Sequence, residues 1–300
     1  MRQFFALCLM LCSYVSLAQQ QWYTSLEFAK TKAILENKMI LMIWEDATQI
    51  PYPVSVDSDN GGSVFVENLF ESKALYDLLY ANFVPVIVSE DIYSDWYFSI
   101  KDKRSFDYMA QFDDQNFKVL DAVGNILNTN EPLNIFFGDY FKLTMFIERY
   151  ALNTALLKQE LLNYNAKPDF YSAYFLADKY LDFTVFNQKK LRGELLNLFD
   201  IYLSEARSFI SETEDAKLWQ RCELLELKKD LVLNRPGKVL RQLKKMQDQT
   251  IDTENDAFVA MLYYISYRLK GDVDEASPYE SGLNGLQKKV ASSIININTK

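Results

Sequence analysis

Six consecutive apolar residues, Met39 to Trp44, limit the choice of fold more than any other stretch of this chain. The run is short, rich in β-formers, and follows directly on Asn37-Lys38, which stops a helix. That pattern predicts a strand buried on both faces, which in turn demands a layer of structure on each side. A second run, Phe83 to Val88, has the same character. Pro85 lies within it and cannot donate to a ladder, so this strand is expected to begin after the proline.

Helical spacing surrounds both runs. Thr24-Ser25-Leu26-Glu27 reads as a capping box, with Thr24 accepting from the backbone and Glu27 reaching back. The helix it opens carries Leu26, Ala29, Ala33 and Ile34 on one face and ends near Glu36. Glu45 to Gly62 holds Pro51, Pro53, Gly61 and Gly62 and reads as a long loop. Val64 to Asn82 returns to helical spacing through Leu69, Leu75, Leu78 and Leu79. Ser94 to Gln111 is expected to form one helix or a pair, with Trp96, Ile100, Phe106 and Met109 in the core. Phe117–Leu120 and Asn125–Leu127 flank Asp121-Ala122-Val123-Gly124, a hairpin with turn chemistry at its tip. A helix over Tyr140 to Leu152 closes the unit.

No strand is expected beyond that point. Helices are predicted over Thr154–Tyr164, Asp169–Phe183, Gln188–Phe209, Thr213–Leu233, Pro236–Gln247, Glu254–Lys270 and Leu283–Ile294. Asp169 after Pro168, the capping box from Ser211 to Glu214, and Pro236 in a first turn mark three of the starts. Short polar connections imply antiparallel neighbours. The fold class read from the pattern is α/β over residues 19–152 and all-α over 153–300.

The first eighteen residues read as a signal peptide. Arg2 gives the positive start, Phe4 to Leu11 the apolar run, and Ser16-Leu17-Ala18 a cleavage site after Ala18. Periplasmic or secreted localisation is the expectation. Leu7 and Leu11 precede Cys8 and Cys12 where a lipobox wants a small residue. Of the three cysteines, cleavage would leave only Cys222, so the mature chain could form no internal disulfide. Loss of Arg2 would make the net charge of −9 more negative by one. No nucleic-acid partner is expected of an acidic chain without a basic cluster. No later segment has the length of a transmembrane helix. The chain has no histidine, which removes Ser-His-Asp and Cys-His machinery and His-ligated zinc. No cofactor and no metal are expected.

The order helix, strand, loop, helix, strand, helix, hairpin, helix resembles the thioredoxin-like fold. Local text adds to the likeness over about residues 20 to 152. Trp22, Ala29-Lys30, Ala33 and Asn37-Lys38-Met39-Ile40-Leu41-Met42 resemble the opening of thioredoxin-related envelope proteins. Asn82-Phe83-Val84-Pro85-Val86 resembles their second core strand, and Leu120-Asp121-x-x-Gly124-Asn125-x-Leu127 their closing hairpin. The resemblance implies a redox C-x-x-C motif just after the first core strand. Here that stretch is Ala47 followed by Thr48, Gln49, Ile50, Pro51 and Tyr52, without a cysteine. It also implies a cis-proline before the hairpin strand, and Gln115 or Asn116 stands there instead. The family's fold is thus implied and its catalytic residues are not. The helices beyond residue 152 have the lengths of TPR-like helix pairs, without a fixed period.

Other candidate sites each have a plainer reading. Cys222 lies between Leu218 and Leu225 at helical spacing, where a thiol is ordinarily core. Asp57-x-Asp59-Asn60-Gly61-Gly62 has calcium-loop chemistry, but Gly61 and Asn68 break the EF-hand pattern. Glu90, Asp91 and Asp95 follow the second strand, where ligands sit in open α/β sheets. Tyr171, Tyr174, Phe175, Tyr180 and Phe183 crowd one helix, and Tyr263, Tyr264 and Tyr267 another, either as core or as a ligand-gripping surface. The leading expectation is a non-catalytic envelope protein whose helical part binds a protein or peptide. The alternatives are a thiol–disulfide oxidoreductase-related protein that assists redox folding, and a glycan-binding protein.

Overall fold

The computed structural model describes residues 22–58, 60–130, 136–137, 140–187, 189–210, 216–247 and 252–299. The signal reading at 1–18, Asp59 and the Ser211–Glu214 cap lie outside the described residues. Helix α1 (Leu26–Glu36) is capped by Ser25, whose Oγ accepts from Phe28 N at 3.3 Å. This corrects the expected Thr24 cap, and Glu27 pairs with Lys30 instead of reaching back. Ala29, Ala33 and Ile34 form the buried face. Asn37 ends the helix at φ 56°, a left-handed conformation that Asn tolerates better than most residues.

Strand β1 (Met39–Trp44) is buried at every position, as its unbroken apolar run requires. It is the middle strand of three. On one side β4 (Phe83–Val88) runs parallel to it, and on the other β5 (Lys118–Leu120) runs antiparallel. Tyr23 adds one parallel bridge outside β4, and Ile126 one antiparallel bridge outside Leu120. The three runs that carry the α/β reading therefore share one sheet. Pro85 sits inside β4, correcting the expected later start. Its carbonyl accepts from Tyr23 N at 3.1 Å, so its nitrogen faces the sheet edge and no bond to β1 is lost.

The expected loop and helix between β1 and β4 need larger corrections. Val54–Asp57 (β2) and Ser63–Val66 (β3) form an antiparallel hairpin. Alternating Val54, Ser55 and Val56, then Asn60-Gly61-Gly62 with Gly61 at φ +78°, supply strand and turn. Helix α2 begins only at Lys73 and runs to Asn82, burying Leu75, Leu79 and Tyr80. After β4 the predicted pair appears as α3 (Tyr93–Ile100) and α4 (Phe106–Asp113). Phe106 is 86% exposed and is corrected out of the core, while Tyr108 and Phe112 take the buried positions. A short strand β6 (Phe136–Phe137) precedes β7 (Tyr140–Lys142), which lies parallel to β2. The helix expected from Tyr140 begins at Leu143, giving α5 (Leu143–Tyr150).

The remainder is helical among the described residues: α6 (Lys158–Ala166), α7 (Phe170–Phe186), α8 (Arg192–Ser208), α9 (Ala216–Val232), α10 (Pro236–Gln247), α11 (Asp256–Lys270), α12 (Val273–Glu280) and α13 (Gly285–Thr299). Asp169 caps α7 in a reciprocal box with Ser172. Helix α12 carries Pro278 and was not legible from spacing. Among the described residues, buried apolar side chains form two clusters. The first runs without a break from Trp22 through the sheet to Leu225 of α9. The second joins the opposite face of α9, through Leu224, Leu227 and Leu231, to α10, α11 and α13.

Candidate functional site

The stretch after β1 turns through a short 3-10 segment, Asp46–Gln49. Glu45 N donates to Val88 O, and Asp46 N donates to the Glu90 carboxylate at 3.0 Å. Thr48 Oγ1 donates back to Glu45 O at 2.7 Å. Glu90 thus holds the turn, while Asp91 and Asp95 do not join it. Ala47 is buried and Ile50 is 68% exposed. After Pro51 the chain re-enters the core at Tyr52. Its ring packs on Phe117 at a centroid distance of 4.7 Å, and on Phe70 and Phe141.

The Tyr52 hydroxyl donates to Asn116 Oδ1 at 3.2 Å. The two stretches singled out in sequence, Thr48–Tyr52 and Gln115–Asn116, therefore meet in space. Gln115 itself points to solvent. The loop holding Asn116 is tied down by Lys118, whose Nζ donates to Asp114 O at 2.5 Å and Asn116 O at 3.1 Å. Lys118 is buried within β5 and is 5.9 Å from the Trp44 ring. Sequence spacing did not reveal this lysine, because a buried position in a strand is read as apolar. No cis peptide bond occurs among the described residues. This contact offers a hydroxyl and an amide group and no thiol.

Cys222 is fully buried in the first apolar cluster. Burial pushes its thiol up to about 11, against a weaker opposing pull from Arg207. Asp57 accepts from Ser63 Oγ at 3.1 Å within the β2–β3 hairpin. No group of three or more acidic or cysteine side chains among the described residues is placed to hold a metal.

The Asp121 turn has a structural use that its turn chemistry did not disclose. Asp121 Oδ1 accepts from the N–H groups of Val123, Gly124 and Asn125, each at 2.9 Å. Its Oδ2 accepts from Tyr180 at 3.0 Å and Tyr202 at 2.5 Å, from α7 and α8. Asn125 Nδ2 also donates to the Tyr202 hydroxyl. Burial and the neighbouring carboxylate drive both phenols well above their ordinary range. Gly124 sits at φ +109°, and a Cβ there would come within 3.0 Å of Lys30 Cε. One of the crowded aromatics, Tyr180, is thereby explained as a docking group. Tyr174, Phe183, Tyr263 and Tyr264 are buried too, and Tyr171 and Phe175 stay about half exposed and stacked.

Two of the clefts among the described residues lie in the helical half. One, of about 260 Å³, is bordered by Tyr174, Phe175, Phe258, Met261 and Leu286. Asp178 and Asp182 also line it, and both pair with the buried Lys228, at 2.5 and 2.8 Å. Burial would lower the Lys228 pKa, but the two carboxylates outweigh it and hold the ammonium charged. The other cleft, of about 740 Å³, lies between α9 and α10. Helix α10 carries Lys238, Arg241, Lys244 and Lys245 on its exposed side. The reading that the chain lacks a basic cluster is corrected at this helix. No helix among the described residues is long and apolar enough to cross a membrane. No family model, no curated protein and no solved structure matches this chain.

Proposed function

We propose that this chain is a non-catalytic, exported thioredoxin-like protein whose first half is a scaffold and whose helices bind another protein or peptide. The contact between Tyr52 and Asn116 carries the reading. It lies after the first core strand and before the hairpin strand, where the thioredoxin-like class keeps its sulfur pair and its proline. A phenol and an amide occupy that place. The strand sequence supports the same reading. Tyr23, β4, β1, β5 and Ile126 lie side by side, parallel through β1 and antiparallel after it. The signal-like text of residues 1–18 supports export, and the helix pairs after residue 152 support a TPR-like binding half.

Two measurements test this. Insulin reduction by the purified chain should equal the uncatalysed rate, and catalytic turnover would overturn the reading. A photo-crosslinking residue at Phe175 should form protein adducts in intact cells, and the same residue at Ile50 should form none. The reverse pattern would move the binding surface to the scaffold. A glycan-binding reading rests on the exposed stack of Tyr171 and Phe175. It predicts glycan-array signal that is lost in Tyr171→Ala.

A further inference from the structure

Helix α10 places its apolar residues entirely inward. Val239 and Leu243 are fully buried, and Leu240 and Met246 are nearly so. Its outer side carries cations and no acid. Arg235, just before the helix, and Lys238 share one counter-ion, Asp230, at 3.3 and 2.7 Å. Arg241, Lys244 and Lys245 are exposed and have no ionic partner among the described residues. They stand three and four positions apart, where like charges repel by roughly 0.2–0.5 kcal/mol per pair. The helix dipole favours cations in the last turn, which accounts for Lys244 and Lys245. It does not account for Arg241, a turn earlier. A chain of net charge −9 has acids to spare, yet among the described residues none pairs with Arg241, Lys244 or Lys245.

We infer that the outer face of α10, with the cleft beside it, is the docking site for an acidic segment of a partner protein. This rests on the proposal that the helical half is the binding half, and it names the site and the partner's chemistry. Lys238 to Lys245 span about 10 Å at ~1.5 Å per residue. Carboxylates at alternate positions of an extended segment repeat every ~7 Å, so two or three fall within reach of the stripe. The 740 Å³ cleft, with Lys238 and Lys245 on one wall and Glu223, Glu226, Leu227 and Asp230 on the other, seats the flanking uncharged or basic side chains. A membrane surface fits less well, because a helix lying in an interface needs a free apolar face. A nucleic acid fits less well, because the acidic remainder of the chain repels a long polyanion.

The test uses the whole chain and a short fluorescein-labelled peptide with glutamate at alternate positions. Binding by anisotropy should weaken as salt rises. Arg241→Gln/Lys244→Gln/Lys245→Gln should weaken it about tenfold or more. Lys288→Gln/Lys289→Gln on α13 should leave it unchanged, with both variants retaining the wild-type circular dichroism. Equal losses in the two variants would reduce the effect to bulk charge and overturn the proposal. So would affinity no higher than for a lysine-substituted peptide. Tighter binding to phosphatidylglycerol vesicles, or to an oligothymidylate strand, would overturn it in favour of that surface. Failure here with Phe175 adducts still formed in cells would leave the helical half as the binding half and remove only α10.

Discussion

At the scale of single residues, the polar groups that matter most are those taken out of water. Asp121 receives five hydrogen bonds while nearly inaccessible. Removing one partner of a buried set strands the others, and that cost exceeds the worth of the bonds themselves. Asp121→Ala should therefore destabilise the chain by about 3–5 kcal/mol, measured by urea unfolding. Tyr180→Phe leaves the carboxylate its other donors and should cost only about 1 kcal/mol. Similar losses for the two would show that Asp121 acts through packing alone. Lys228 follows the same logic, because Lys228→Met would leave Asp178 and Asp182 facing each other with the more distant Lys179, 4.0 Å from Asp182, in place of the buried ammonium. A loss of roughly 3–5 kcal/mol is expected, partly restored when Asp182→Asn is added. Cys222 gives a prediction in pH. Its folded pKa, raised to about 11 from 9.0, means that folding disfavours the thiolate. Stability from this group is present at low pH and is lost as pH rises from about 9 through 11. Thiol labelling near pH 8 should be at least roughly a hundredfold slower than in the unfolded chain, and fast native labelling would revive the redox reading.

Among elements, those whose residues all face one environment were legible. Met39–Trp44 has no polar position, so neither its type nor its limits could be misread. Pro236–Gln247 combined a first-turn proline with a clean apolar stripe and matched to the residue. The β2–β3 hairpin was missed because Val64, Phe65 and Val66 continue into Leu69 and Leu75, so two periods overlap in one apolar stretch. Helix α12 was missed because Pro278 breaks the pattern that would have announced it. The candidate site was legible by position only. Thr48–Tyr52 and Gln115–Asn116 could be placed at two loops, but no spacing rule showed that Tyr52 and Asn116 would touch. That bond is part-buried, so Tyr52→Phe should cost about 1 kcal/mol in thermal or urea unfolding. Tyr52→Ala also removes a ring packed on Phe70, Phe117 and Phe141, and should cost about 3–5 kcal/mol. If the hydroxyl proved the larger share, the loop would be held by polar contact and not by its aromatic anchor.

For the molecule as a whole, the change from mixed to helical sequence near residue 152 does not coincide with a gap in packing. The first apolar cluster crosses it, and so do polar ties. Thr154 N donates to Asn37 O, Arg104 pairs with Glu205, and Arg149 pairs with the buried Glu194. Tyr180 and Tyr202 reach from α7 and α8 into the Asp121 turn. The hairpin that closes the sheet is thus completed by helices that follow it in sequence. The thinner seam runs along α9, whose two faces serve the two clusters. A fragment of residues 19–152 would leave Asp121 and the apolar surface that packs on α7 and α8 open to water, and would keep only part of the first cluster to offset the cost. It should lack the near-ultraviolet dichroism of packed aromatics and should unfold without a sharp transition. A fragment of residues 19–232 keeps the whole first cluster and should unfold cooperatively, at a midpoint below that of the intact chain. If 19–152 alone gave a native-like aromatic spectrum and a steep transition, the helical half would be an attached module. In that case the buried tyrosine–aspartate contact would be a consequence of docking and not a condition for folding.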